Sequence, residues 1–180
     1  MEPQLQRQLD TLIRDVADFP RPGVVFKDIT PLLADHEAFA AVVEALARAG
    51  RDVDGNVVVD KVVGVEARGF ILAAPVALAL GVGFAPVRKA GKLPGAIHTV
   101  DYALEYDEAT LEMHHDAVLA KERILLVDDV LATGGTVAAT TQLIERCGGV
   151  VRGVAVLLEL GFLSGRSALG DLPVTALRRL

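Results

Sequence analysis

The chain has one cysteine, Cys147, no tryptophan, two tyrosines and only 4% aromatic residues in 180 positions. A single thiol excludes an internal disulfide and a cysteine-based zinc site, and points to a reducing, cytoplasmic setting. Positive charge is scarce too: 18 Lys and Arg face 24 Asp and Glu, a net charge of -6. That balance argues against a general nucleic-acid or membrane-surface binder, which needs clustered cations, so neither partner is expected. The four histidines, His36, His98, His114 and His115, show no metal-ligand spacing and read as surface or lid residues. The longest apolar stretch, 70–84, is shorter than the ~18 residues of a membrane span and contains Pro75, Gly81 and Gly83. The opening Met-Glu-Pro-Gln-Leu-Gln lacks the basic flank and apolar core of a secretion signal.

What the chain does have is 52% hydrophobic residues, mostly Val, Leu and Ala. This suits an α/β fold with a parallel sheet and helices on both faces, built as one domain over 1–180. Leu5, Leu9, Leu12, Ile13 and Val16 fall on one face of a helix expected over 4–16. Phe19-Pro-Arg-Pro-Gly23 then breaks the pattern and leads into an extended segment, 24–29. A second helix is expected from Asp35 as N-cap to Gly50, with Phe39, Val42, Val43 and Leu46 inward. Strands are expected at 57–65 and 84–87, with a helix at 69–80 between them. From Arg88 to about Thr110 the chain turns polar, and a long loop with a short hairpin through 102–106 and 110–114 is expected there, a lid over about 88–114. A strand at 124–127, a helix at 135–146 and a strand at 150–158 complete a strand-helix-strand unit.

The most informative segment is Arg123-Ile-Leu-Leu-Val-Asp-Asp-Val-Leu-Ala-Thr-Gly-Gly-Thr136. A buried strand ends in two carboxylates, and Ala132, Thr133, Gly134, Gly135 and Thr136 open a helix. Glycines let the backbone approach an anion, the N–H groups at the helix start point at it, and threonine hydroxyls add donors. Asp128 and Asp129 only accept, so they suit a vicinal diol or a magnesium ion. With the cradle, they describe a ribose 5-phosphate. The blander reading is a strand that ends in Asp-Asp beside an ordinary threonine cap. No Walker A lysine follows, and no dinucleotide Gly-x-Gly-x-x-Gly is present.

Glu66-Ala-Arg-Gly-Phe70 forms a second strand-to-helix junction, where Arg68 either faces an anion or pairs with Glu66 on the surface. Arg88, Lys89 and Lys92 put three cations on one short stretch, fitting for a pyrophosphate or simply a solvated loop.

In order and spacing, these segments resemble the adenine branch of the type I phosphoribosyltransferases. The carriers are Asp18-Phe-Pro-Arg-Pro-Gly-Val-Val-Phe-Lys-Asp-Ile-Thr-Pro31, Glu66-Ala-Arg-Gly-Phe70, Arg88-Lys-Ala-Gly-Lys-Leu-Pro-Gly95, Leu104-Glu-Tyr106 and the 123–136 motif. Lys27 stands where relatives often have arginine. The resemblance implies transfer of phosphoribosyl from phosphoribosyl pyrophosphate to adenine, with AMP and pyrophosphate as products. It implies Mg2+, bound mainly through substrate rather than by protein ligands, and a homodimer. It singles out Glu105 as the catalytic acid-base group, brought in by a lid with Tyr106. Val25, Phe26, Lys27 and Leu160, with the N-terminal segment 1–34, would form the adenine pocket. Arg68, Arg88, Lys89 and Lys92 would hold pyrophosphate. Another purine base, hypoxanthine or xanthine, or a non-catalytic nucleic-acid-binding regulator on the same fold, are the alternatives.

Overall fold

The computed structural model describes residues 3–103 and 108–180 and divides the chain into two compact units, Met1–Glu44 and Ala45–Leu180. Among the described residues, no helix is long and apolar enough to cross a membrane.

In the first unit, α1 (Pro3–Leu12) buries Leu5 and Leu9. The helix stops four residues short of the expected end, because Arg14–Val16 forms a strand, β1, antiparallel to β2 (Phe26–Asp28). Pairing backbone to backbone outweighs the helical periodicity of Ile13 and Val16. The Pro-Gly segment between the strands folds back on itself: Gly23 N–H donates to Asp18 Oδ1 at 2.8 Å, and Phe19 N–H to Val24 O at 3.2 Å. The short helix α2 (Thr30–Ala34), which starts at a proline-tolerant first turn, has no counterpart in the sequence reading. α3 (His36–Ala47) begins as expected, with Asp35 Oδ1 accepting the Ala38 N–H at 2.9 Å, and passes into a 3-10 turn at Arg48–Gly50.

The second unit is built on β3 (Lys61–Val65), β4 (Gly83–Lys89), β5 (Ile97–Ala103), β6 (Glu108–His114), β7 (Arg123–Leu131), β8 (Val150–Glu159) and β9 (Val174–Arg179). They lie in the order β5-β6-β4-β3-β7-β8-β9. The five from β4 to β9 are parallel, and β5 and β6 are antiparallel at one edge. Two helices cover it, α4 (Arg68–Leu80) against β3, β4 and β7, and α5 (Gly135–Arg146) against β5, β6 and β8. Alternation along β7 explains the two layers. Ile124 and Leu126 share a core with Val137, Leu143 and Ile144 of α5, while Leu125 and Val127, equally buried, point the other way. The fold is therefore α/β with a central, largely parallel sheet.

In this unit three expectations need correcting. The strand expected at 57–65 starts only at Lys61, since Val57 makes just an isolated bridge with Arg51. The polar stretch after Arg88 is mostly sheet, with β5 and β6 pairing in register from Ile97↔His114 to Ala103↔Glu108. Its exposed face accounts for the polar residues that suggested a loop. β7 does not end at Val127 but runs through both aspartates, because β8 keeps pairing as far as Leu131↔Glu159. The C-terminal strand β9 was not anticipated.

Candidate active site

Residues from five strands and the starts of two helices line a cleft of about 730 Å3 at the carboxyl edge of the parallel sheet. Its floor is the acid pair on β7. Asp128 and Asp129 are 8% and 7% exposed, and Asp128 Oδ1 accepts the Asp129 N–H at 2.9 Å. The first turn of α4 reaches the pair through Gly69, where a Cβ would lie 2.6 Å from Asp128 Oδ1 and would have to displace that carboxylate. The preceding residue, Arg68, puts its guanidinium 2.6 Å from Asp129 Oδ2. Burial raises the Asp128 carboxyl well above its usual range, and the neighbouring Asp129 charge adds to this. Asp129 is also raised by burial, with Arg68 opposing the shift. One guanidinium thus faces two buried carboxyls, and the pair holds a proton more readily than ordinary aspartates. When both are ionised, the two acceptor-only carboxylates fit a diol, or a divalent cation shared with a substrate.

Beside the acids, residues 130–137 wrap a small cavity of about 50 Å3. Gly134 N-caps α5 with φ 88°, a left-handed conformation that suits glycine. The wall behind it is the segment 161–169: a Cβ on Gly134 would lie 2.4 Å from Gly165 O, and a Cβ on Gly165 would lie 2.2 Å from Ala132 O. That segment is held by Arg166, which donates to Glu159 through Nε at 2.9 Å and a terminal nitrogen at 2.7 Å. Thr136 Oγ1 donates to the Tyr102 hydroxyl at 3.3 Å, tying the cradle to the edge hairpin.

The third wall is cationic. Arg88 and Lys89 end β4, and Lys92 follows in the turn. All three address Glu66 at the end of β3. Arg88 Nε lies 3.3 Å and the Lys89 N–H 3.0 Å from Glu66 Oε2, and Lys92 Nζ bonds Oε1. Burial would raise the Glu66 carboxyl, but Lys92, the Lys89 N–H and Arg88 together lower it to about 2. Glu112 Oε1 accepts the Gly91 N–H at 2.9 Å and fixes the tip of the turn. The surface pair of Arg68 with Glu66, one of the two sequence alternatives, is therefore not formed. Arg68 turns to Asp129, and Glu66 takes the basic turn.

The cleft brings together Arg68, Lys89, Asp128, Asp129 and Thr136, with Arg88 and Lys92 joined to it through Glu66. Leu160 follows β8 in the same unit, its N–H donating to Leu131 O at 2.9 Å. Val25, Phe26 and Lys27 belong to the first unit. There the Phe26 ring meets Phe19 edge-on at 5.1 Å, and Lys27 pairs with Asp15 at 2.7 Å. Glu105 and Tyr106 lie outside the described residues. Sequence reasoning missed Tyr102, Thr110, Glu66 and the Gly165–Arg166 wall. The alternation from Ile97 to Ala103 could have flagged the hairpin, whereas no local signal ties Gly165 to a cradle thirty residues earlier.

The phosphoribosyl transferase domain family matches residues 30–166. The adenine phosphoribosyltransferase of Nocardioides sp. is 68% identical over 166 residues, covering 92% of this chain and 90% of that protein. Among solved structures, adenine phosphoribosyltransferase from Thermoanaerobacter pseudethanolicus superposes with a TM-score of 0.91 at 46% identity, over 98% of this chain and 99% of that one. The Saccharomyces cerevisiae enzyme, complexed with D-DIAB and adenine, gives a TM-score of 0.92 at 36% identity, over 98% and 100% of the two chains. A buried acid pair on a parallel strand, a glycine-threonine cradle at the next helix and near-full-length likeness lead to one conclusion: the chain belongs to the adenine phosphoribosyltransferase family.

Proposed function

We propose that the protein transfers the 5-phosphoribosyl group from phosphoribosyl pyrophosphate to adenine, forming AMP and pyrophosphate in purine salvage. The observation that carries this reading is the cleft itself, where a buried acid pair borders an anion cradle on one side and a cationic turn on the other. The bond to be broken joins the anomeric carbon to pyrophosphate, and positive charge develops on the sugar as it lengthens. Ala132, Thr133, Gly134, Gly135 and Thr136 hold the 5-phosphate with main-chain N–H groups and hydroxyls at the start of α5. Asp128 and Asp129 accept from the ribose hydroxyls, and their negative charge favours the developing cation. Arg68, Arg88, Lys89 and Lys92 take the pyrophosphate. Asp128 and Asp129 would be the residues to meet a substrate-borne Mg2+, which would supply neutralisation of the leaving group.

Val25, Phe26, Lys27 and Leu160 are assigned to adenine, Phe26 by stacking and the main chain by reading the 6-amino edge. Glu105, with Tyr106 in the same stretch, is assigned removal of the N9 proton. Both units act as a single phosphoribosyltransferase domain, the enzyme is a cytoplasmic homodimer, and the basic turn serves as part of a lid. Incubating the protein with adenine, phosphoribosyl pyrophosphate and magnesium chloride tests the reaction: equimolar AMP and pyrophosphate are expected, and their absence would overturn it.

A further inference from the structure

We infer that Glu66 is an internal competitor for pyrophosphate, a carboxylate that occupies the basic turn until the substrate's leaving group displaces it. The inference rests on the pyrophosphate assignment above and deepens it. Glu66 is a side chain only 8% exposed that lines the cleft, and its two oxygens gather donors from three positions of one turn. Oε2 accepts from Arg88 Nε and the Lys89 N–H, and Oε1 from Lys92 Nζ. A phosphoryl group engages donors in the same forked way, with more charge. The frame of the turn does not depend on Glu66 alone. β4 and β6 pair at Arg88↔Glu112 and Lys89↔Leu111, the Ala90 N–H donates to Thr110 O at 3.1 Å, and Glu112 holds the Gly91 N–H. The Lys92 and Arg88 side chains, 46% and 34% exposed, can leave Glu66 while the backbone stays.

Such an arrangement keeps the cations placed and partly neutralised in the empty enzyme. It lowers affinity for pyrophosphate by the strength of the pairs that must be broken, and on product release it takes the cations back. The carboxylate is charged at every pH near neutrality, so the competition is permanent rather than pH-gated.

The test is calorimetric titration of the full chain, wild type, Glu66→Gln and Glu66→Asp, with magnesium pyrophosphate and separately with ribose 5-phosphate. Glutamine keeps an acceptor for the Lys89 N–H but loses the charge. The expected result is pyrophosphate binding about 3- to 10-fold tighter in Glu66→Gln, the scale of a partly exposed ion-pair network, with ribose 5-phosphate within about twofold of wild type. Lys92→Met should also cost more pyrophosphate affinity in the Glu66→Gln background than in the wild type. Unchanged or weaker pyrophosphate binding in Glu66→Gln, or loss of ribose 5-phosphate binding in both variants, would make Glu66 a structural pin and overturn the inference. A wild type that binds no pyrophosphate would instead overturn the pyrophosphate assignment itself.

Discussion

At the scale of single residues, the acid pair has a cost in stability that its chemistry explains. A carboxyl whose pKa is raised on folding is penalised once it must ionise. Folding is therefore unaffected below the unfolded value near 3.9, and stability falls as pH rises through the elevated folded value. Asp128→Asn removes that penalty while keeping an acceptor for the Asp129 N–H. Thermal unfolding should show the variant more stable than wild type at pH 7 to 8 and no more stable near pH 3. Each pKa unit relieved corresponds to about 1.4 kcal/mol, or roughly 3–6 °C for a chain of this size. The same variant, and Asp129→Asn, should lose about 10- to 100-fold in kcat/KM, the worth of a charge-assisted hydrogen bond to substrate. A variant that is fully active, or less stable at every pH, would contradict this account of the pair. For Glu105→Leu, acid-base assistance predicts a fall in kcat of roughly a hundred- to ten-thousand-fold with a smaller change in KM. A fall below about threefold would assign the proton to another group.

At the scale of elements, the cradle depends on a wall that carries no phosphate-binding signature. Gly165 lies so close to Ala132 O that an added methyl must move main chain, and the Arg166 fork to Glu159 leaves the wall little room to retreat. Gly165→Ala should thus weaken ligands that bear a 5-phosphate, with kcat/KM for phosphoribosyl pyrophosphate down about 10- to 100-fold, since sub-ångström misplacement suffices for that. Pyrophosphate affinity, which depends on β4 and its turn, should stay within about twofold. Equal loss for both ligands in binding titrations would count against the separation. The contrast shows what was legible in the sequence. The helix from Gly135, the N-cap at Asp35 and the core strands were legible because periodicity and capping are local. The edge hairpin was legible only as a short one because the alternation of its first strand is half polar. β9 and the Gly165 contact were invisible because they depend on partners distant in sequence. The same holds for Arg68, whose choice of Asp129 over the adjacent Glu66 is decided by how α4 meets β7.

At the scale of the whole molecule, the proposal gives the phosphoribosyl machinery to a sheet with an acid pair at its carboxyl edge, and the choice of base to the N-terminal residues. The proposed homodimer should appear in sedimentation velocity at assay concentration; an active monomer would refute it. Adenine carries a donor at position 6 and an acceptor at N1, and hypoxanthine has the reverse. Fixed main-chain groups around Val25, Phe26 and Lys27 that fit one base therefore oppose the other with like partners, and a site of buried hydrogen bonds can reject such a mismatch by about 10⁴-fold. Lys27→Ala should leave that preference intact, because the main chain does the reading. The decisive measurement is the ratio of kcat/KM for adenine to that for hypoxanthine, both with phosphoribosyl pyrophosphate and magnesium. The account predicts a ratio on the order of 10⁴; comparable values for the two bases would contradict it.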